Sequence, residues 1–187
     1  MGKTSSEASI SSLVAVIRDT EEMPMWVYQL KSASVIQQVS QTERITYFTH
    51  ESPFFFIMNR DSVVHSNIFV DKTSSDIVIK GKSSASLVPI DKNYVRIEEG
   101  ESEWRFSVDT QTNKVNILFK GYANPGGTVE IIYYPAILKN QLWELPYTSL
   151  KNLKVQVQNA KYKKTGNELL KSLPIKNSMN QNNCQSG

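Results

Sequence analysis

Seven strand-like segments follow one another between Ala33 and Tyr122 with no helical pattern among them, and only then does the longest helical pattern of the chain begin. That order constrains the fold more than any other feature. The segments Ala33–Ser40, Arg44–His50, Ser62–Val70, Asp76–Lys80, Tyr94–Glu98, Glu103–Val108 and Lys114–Tyr122 are rich in Val, Ile, Thr and aromatic residues and alternate with a period of two. The last three segments follow at short spacing with no helical pattern between them, which predicts an antiparallel meander rather than βαβ units. Turn residues at Glu99-Gly100 and from Thr110 to Asn113 separate the last three segments.

Shorter elements flank the meander on its N-terminal side. Lys3 to Ile10 alternates weakly and reads as an edge strand. Ser11 is the expected cap of a short helix in which Ile10, Leu13, Val14 and Ile17 share a face. Pro24 ends that helix or opens a second turn carrying Trp26, Val27 and Tyr28. After the strands, Asn124-Pro125-Gly126-Gly127 is the strongest breaker in the chain. Beyond it Leu138, Leu142, Leu145, Ser149, Leu150, Leu153 and Val157 keep near one helical face, with Pro135 and Pro146 expected to kink or interrupt it. The pattern fades near Tyr162, and Asn177 to Gly187 has almost no apolar content. The expectation is an α+β domain over 1–161 and a basic, polar, largely disordered tail over 162–187. A sheet that buries one face under a single long helix has a hollow between its two layers.

Several function classes find no support. No apolar run approaches the length that spans a bilayer, and Leu13 to Ile17 is too short for a signal-peptide core, so the chain reads as soluble and its compartment is unassigned. A single cysteine, Cys184, excludes an internal disulfide. His50 and His65 lack metal-site spacing, and no cysteine lies near them in sequence. No G-x-S-x-G elbow is present, and Gly81-Lys82-Ser83 lacks the glycine that would make it a P-loop, so no cofactor and no metal is expected. Glu98, Glu99, Glu101 and Glu103 read as a solvated hairpin. Trp104-Arg105-Phe106 interleaves aromatic and basic residues, but no RNA-binding signature accompanies it, so no nucleic-acid partner is expected. Met1-Gly2-Lys3-Thr4-Ser5-Ser6 matches a myristoylation pattern in form, and a trimmed start explains it as well. The net charge is only +3, yet Lys151 to Lys176 holds seven lysines against one acid, Glu168. Such a stripe is a solvated surface or a docking face for an anionic membrane.

Five local matches, in order over Ser9 to Val157, resemble the StAR-related lipid-transfer (START) family. They are Leu13-Val14-Ala15-Val16-Ile17-Arg18-Asp19 followed by Met23-Pro24-Met25-Trp26; Tyr47 to Asp61 with Pro53 and Asn59-Arg60-Asp61; Tyr94-Val95-Arg96-Ile97; Trp104; and Asn124-Pro125-Gly126-Gly127 leading into a helix that contains Pro146-Tyr147-Thr148-Ser149-Leu150. The resemblance implies a helix-grip fold, a curved antiparallel sheet around a C-terminal helix, enclosing one sterol, phospholipid or similar apolar molecule, with the last helix as a lid. The chain departs from the family at Asn59, where an aspartate is usual, and in Ser62-Val63-Val64-His65-Ser66, which lacks a basic residue that sterol-binding relatives often carry. Members usually have a helix and two strands ahead of the segment matching Lys3 to Asp19, so the domain reads as N-terminally short. The sheet edge thereby left open invites pairing of two copies.

A lipid gains affinity from area removed from water, so its hollow needs an apolar lining with one or two polar groups for the head. Trp104, Phe106 and Val108 share one strand face, and Val115, Ile117 and Phe119 share another. Tyr134, Leu138, Leu142 and Leu145 would close the hollow from the helix, with Gly126-Gly127 as the hinge. Each of these positions fits a plain core as well as a pocket. Arg60 and Arg96 are either paired inside, with acids such as Asp61 or Asp19, or at the rim for a head group. The functional expectation is a non-enzymatic protein that binds a lipid or sterol-like ligand, for transfer or sensing. The alternative is a cyclase- or hydrolase-like enzyme of the helix-grip superfamily, which requires a titratable pair facing the hollow, for example His50 or His65 with a carboxylate.

Overall fold

The computed structural model describes residues 1–52, 58–126 and 135–163. Eight strands form one curved sheet: β1 (Gly2–Ser6), β2 (Leu30–Gln38), β3 (Glu43–His50), β4 (Arg60–Val70), β5 (Ile77–Ser83), β6 (Val95–Arg96), β7 (Gly100–Val108) and β8 (Val115–Ala123). Their order across the sheet is β1-β8-β7-β5-β4-β3-β2, all antiparallel, with β6 added in parallel beside Arg60 and Asp61 of β4. Helix α1 (Ile10–Arg18) follows β1, and α2 (Pro135–Gln156) follows β8. The structure is therefore α+β, as the element order predicts.

Local chemistry explains the boundaries. The cap of α1 is Ser9, not Ser11: Ser9 is extended and its hydroxyl accepts from the Ser12 amide at 3.1 Å, so the helix starts two residues earlier. Pro24 lies inside a 3₁₀ turn, Met23–Met25, that delivers Trp26 into the core. Gly100 is not a turn residue. It opens β7 opposite Ala123, because β6 pairs with β4 and makes no hairpin with β7. The β7–β8 hairpin does turn where expected, held by Asp109, whose carboxylate accepts from the Gln111 and Thr112 amides. Helix α2 runs through Pro146 without interruption. Pro135 stands at its first residue, where a missing N–H costs nothing.

The register sorts the strand residues onto two faces. The inner face carries Ile68, Ile77, Ile79, Phe106, Val115 and Ile117, which pack with Leu13, Val14, Val16 and Ile17 of α1 and with Leu150 and Leu153 of α2. Strand β1 approaches α2 so closely that a Cβ on Gly2 would stand 2.6 Å from a Leu150 methyl. That close approach gives Gly2 a structural role of its own, apart from any modification pattern. Tyr162, the first residue assigned to the tail, is buried in the core and its hydroxyl donates to Asp19 at 3.0 Å. Residues 164–187 of that tail lie outside the described residues.

On the outer face, Arg96 and Asp61 form a buried bidentate pair, Nε to Oδ1 at 2.9 Å and Nη2 to Oδ2 at 2.7 Å. Arg96 also donates to the carbonyls of Ala85, Val88 and Pro89, so all five of its N–H groups are used. Removing one side of such a pair leaves a buried charge without a partner. Arg96→Met is expected to cost about 3–5 kcal/mol in urea unfolding, with hydrogen exchange rising first in the segment from Ser84 to Ile90.

Candidate functional site

The inner face divides into two halves. In one, α1 and the C-terminal half of α2 cover the sheet, and the core closes around Phe106, Val115 and Ile117. These three sequence candidates are core residues. Val108, on the same face as Phe106, passes the edge of that core and is 53% exposed. Trp104 and Phe119 stand at the border, partly buried. Their rings lie 4.4 Å apart, and Trp104 meets Trp26 edge-on at 6.0 Å.

Beyond that aromatic wall the side chains shrink. The next row across the sheet is Ser66, Gly81, Ser102 and Gly121, with Arg44 of β3 at its end, and the row after it holds Thr46, Val64, Ser83, Gly100 and Ala123. The space above Gly81 and Gly100 is narrow: added Cβ atoms would meet Ser102 Oγ at 2.7 Å and Ser83 Oγ at 3.0 Å. The Phe119 ring bends over Gly121 at 3.2 Å from such a Cβ. This band of glycine, serine and threonine raises little bulk above the backbone, on the side of the sheet that faces α2. Its far end carries Phe48, His50, Arg60 and Ser62.

Arg60 is buried there and donates to the carbonyls of Met58 and Pro125, at the root of the predicted hinge. Gly126, with φ of +67°, sits against Val95 and the Arg96 carbonyl, where an added Cβ would lie 3.1–3.2 Å from both. Arg96 itself is on the opposite face with every donor engaged, which leaves none for a ligand head group. Tyr134 and the side chains of Leu138 and Leu142 lie outside the described residues. Leu145 is 37% exposed on α2. Ser149 accepts from the Tyr28 amide at 3.1 Å, tying the helix to the segment that carries Trp26.

The two histidines occupy different faces. His65 is on the outer face, exposed, 3.9 Å from Glu43. His50 is on the inner face, with its Nε2 3.4 Å from the Ser62 hydroxyl. Burial pulls its imidazole down to about 4, so it is neutral at pH 7. Across the sheet, burial would raise the Asp61 carboxyl, but hydrogen bonds from Arg96 and Tyr47 hold it below the usual range. Burial and the bond to Asp61 push the Tyr47 phenol up to about 12.

A separate groove of about 550 Å³ runs along the outer face, above the backbone of Ser66, Gly81, Ser102 and Gly121. Its walls are Lys80, Glu103 and Lys120 on one side and Lys82, Glu101 and Tyr122 on the other, with Glu103 bridging both Lys80 and Lys120. Charged walls open to water do not suit an apolar ligand. The inner band is distinct from this groove and carries glycine, serine and threonine instead. Sequence reasoning missed that band because Ser66, Gly81, Ser102 and Gly121 come from four strands and form a row only once the register is known.

No family model and no curated protein sequence matches the chain. Solved structures do. The chain is similar to a STAR-related lipid transfer protein from Xanthomonas axonopodis, with 23% identity, 84% of each chain covered and a TM-score of 0.72. It is also similar to human STARD10, at 15% identity and a TM-score of 0.69, covering 85% of this chain and 62% of that one. Human StAR-related lipid transfer protein 5 aligns at 13% identity and a TM-score of 0.68, over 83% of this chain and 73% of that chain. The fold is the START-like helix-grip fold. In this sheet His50 stands on the inner face.

The low His50 value carries a stability consequence. In the unfolded chain the imidazole takes a proton near its ordinary 6.5, and in the folded chain only near 4. Between those values the unfolded state binds more protons, so this contribution is complete above pH 6.5 and is lost as the pH falls towards 4. Thermal melts across that window are expected to show a falling melting temperature, with a shallower slope in His50→Gln.

Proposed function

We propose that the protein holds one lipid-type apolar molecule between the inner face of its sheet and α2, and that it does so without catalysis. The observation that carries this reading is the division of the inner face, with a tight apolar core on one side of Trp104 and Phe119 and, on the other, a low band of small residues whose flanking arginines, Arg44 and Arg60, donate to backbone carbonyls. A buried chain gains about 0.8 kcal/mol per methylene, so a modest hollow is enough for a stable complex. The names of the similar structures, lipid transfer proteins from a bacterium and from human, support the same ligand class. The Gly126 hinge and the aromatic border at Trp104 and Phe119 are the proposed gate and end wall.

The enzyme alternative needs a histidine beside a carboxylate on the inner face. Among the described residues the polar neighbour of His50 is Ser62, and the histidine with a carboxylate beside it, His65, faces outward. Transfer would bring the domain to a membrane, for which exposed Lys151 and Lys154 on α2 are the proposed contact. Two copies would pair through β2, an edge strand with exposed Val35 and Ile36.

Native mass spectrometry of the purified protein, with solvent extraction of what co-purifies, tests the central reading. A bound mass of lipid size at one per chain is the expected result. An empty protein that also takes up no fluorescent fatty acid, phospholipid or sterol would sink it.

A further inference from the structure

The charges of the sheet are sorted by face. From the register, the inner positions of β3 to β8 hold no Asp, no Glu and no Lys among the described residues. The strand carboxylates Glu43, Asp61, Glu101 and Glu103, and the lysines Lys80, Lys82 and Lys120, all stand on the outer face. Two inner arginines remain, and carbonyl oxygens engage both. Arg44 donates to Ile17 and Arg18 at the end of α1, and Arg60 to Met58 and Pro125.

Hydroxyls take the place of charge. Ser83 and Ser102 stand over the neighbouring glycines, and Ser62 lies beside His50. Thr46 is the informative one. It is 1% exposed on the inner face, level with Val64 and Ser83, and its hydroxyl has no hydrogen-bond partner among the described residues. A buried hydroxyl without a partner carries a desolvation cost that a ligand oxygen would relieve.

Resting on the lipid-binding reading above, we infer that the buried end of the ligand is uncharged and hydrogen-bonding, a hydroxyl or ester carbonyl of a neutral lipid, received by Thr46 with Ser62, Ser83, Ser102 and His50. A carboxylate or phosphate in the same place would meet hydroxyls but no cation free of carbonyl partners, and a buried anion so placed is strongly disfavoured. A neutral imidazole at His50 fits the same ligand, since it can donate from one nitrogen and accept at the other.

The test compares four probes of one chain length on the full protein: a fatty alcohol, its monoglyceride, the fatty carboxylate and the plain hydrocarbon. Binding is read by the fluorescence of the tryptophans. The alcohol and the monoglyceride are expected to bind about tenfold tighter than the other two. Thr46→Val is expected to erase most of that preference and raise the melting temperature of the empty protein, because it removes an unpartnered hydroxyl. Ser102→Ala is expected to lower the preference in the same direction. Tightest binding of the carboxylate would overturn the inference while leaving lipid binding intact, as would an undiminished preference in both variants. Failure of all four probes to bind would instead overturn the lipid-binding reading and this inference with it.

Discussion

Much of the site depends on a pair that does not belong to it. Arg96 and Asp61 lie on the outer face, yet their bond fixes where β6 meets β4, and that contact sets the far end of the inner face. Asp61 also receives the Tyr47 hydroxyl at 2.9 Å from β3. Arg96 gathers three carbonyls of the segment between β5 and β6. One buried ion pair thus joins two strands, a short parallel strand and a loop. Its neighbour in sequence, Arg60, points to the other face by the alternation of a strand. The Arg96 carbonyl and Val95 are what Gly126 leans on, so the pair also sets the position of Gly126.

The inner face combines a tightly packed core with a row of small residues in one sheet. Two tryptophans and Phe119 separate the regimes. On one side, large aliphatic side chains from the sheet meet those of α1 and the C-terminal half of α2, and Asp19, Lys161 and Tyr162 fasten the chain beyond α2 to the end of α1. On the other side, glycine and serine replace them at equivalent positions of the same strands. The strands do not change; only the size of the residue at each inner position does. Large and small inner residues can coexist in one sheet because they occupy different rows of it.

Much of the architecture was legible in the residues. Period-two alternation located the strands, the Asn-Pro-Gly-Gly breaker separated the sheet from the long helix, and the five START-like matches ordered the segments correctly. The site was legible only in part. Phe106, Val115 and Ile117 look like any apolar stripe, and nothing local distinguishes a residue beneath a helix from one beneath a hollow. Arg96 reads equally as a rim cation or a buried partner until Asp61 is seen beside it. Ser9 rather than Ser11 caps α1, since four serines lie within two turns and only the backbone angles choose among them.

What the sequence determined alone was period and punctuation, because alternation and turn chemistry act over a few residues and need no partner. From these follow the strands, the two helices and the α+β class. What only the tertiary structure decided was register and face: which small residues line up into a band, which histidine looks inward, and which arginine is fully paired. Those relations join residues from strands far apart in the chain, and they exist only once the hydrogen-bond ladders have fixed each strand against the next.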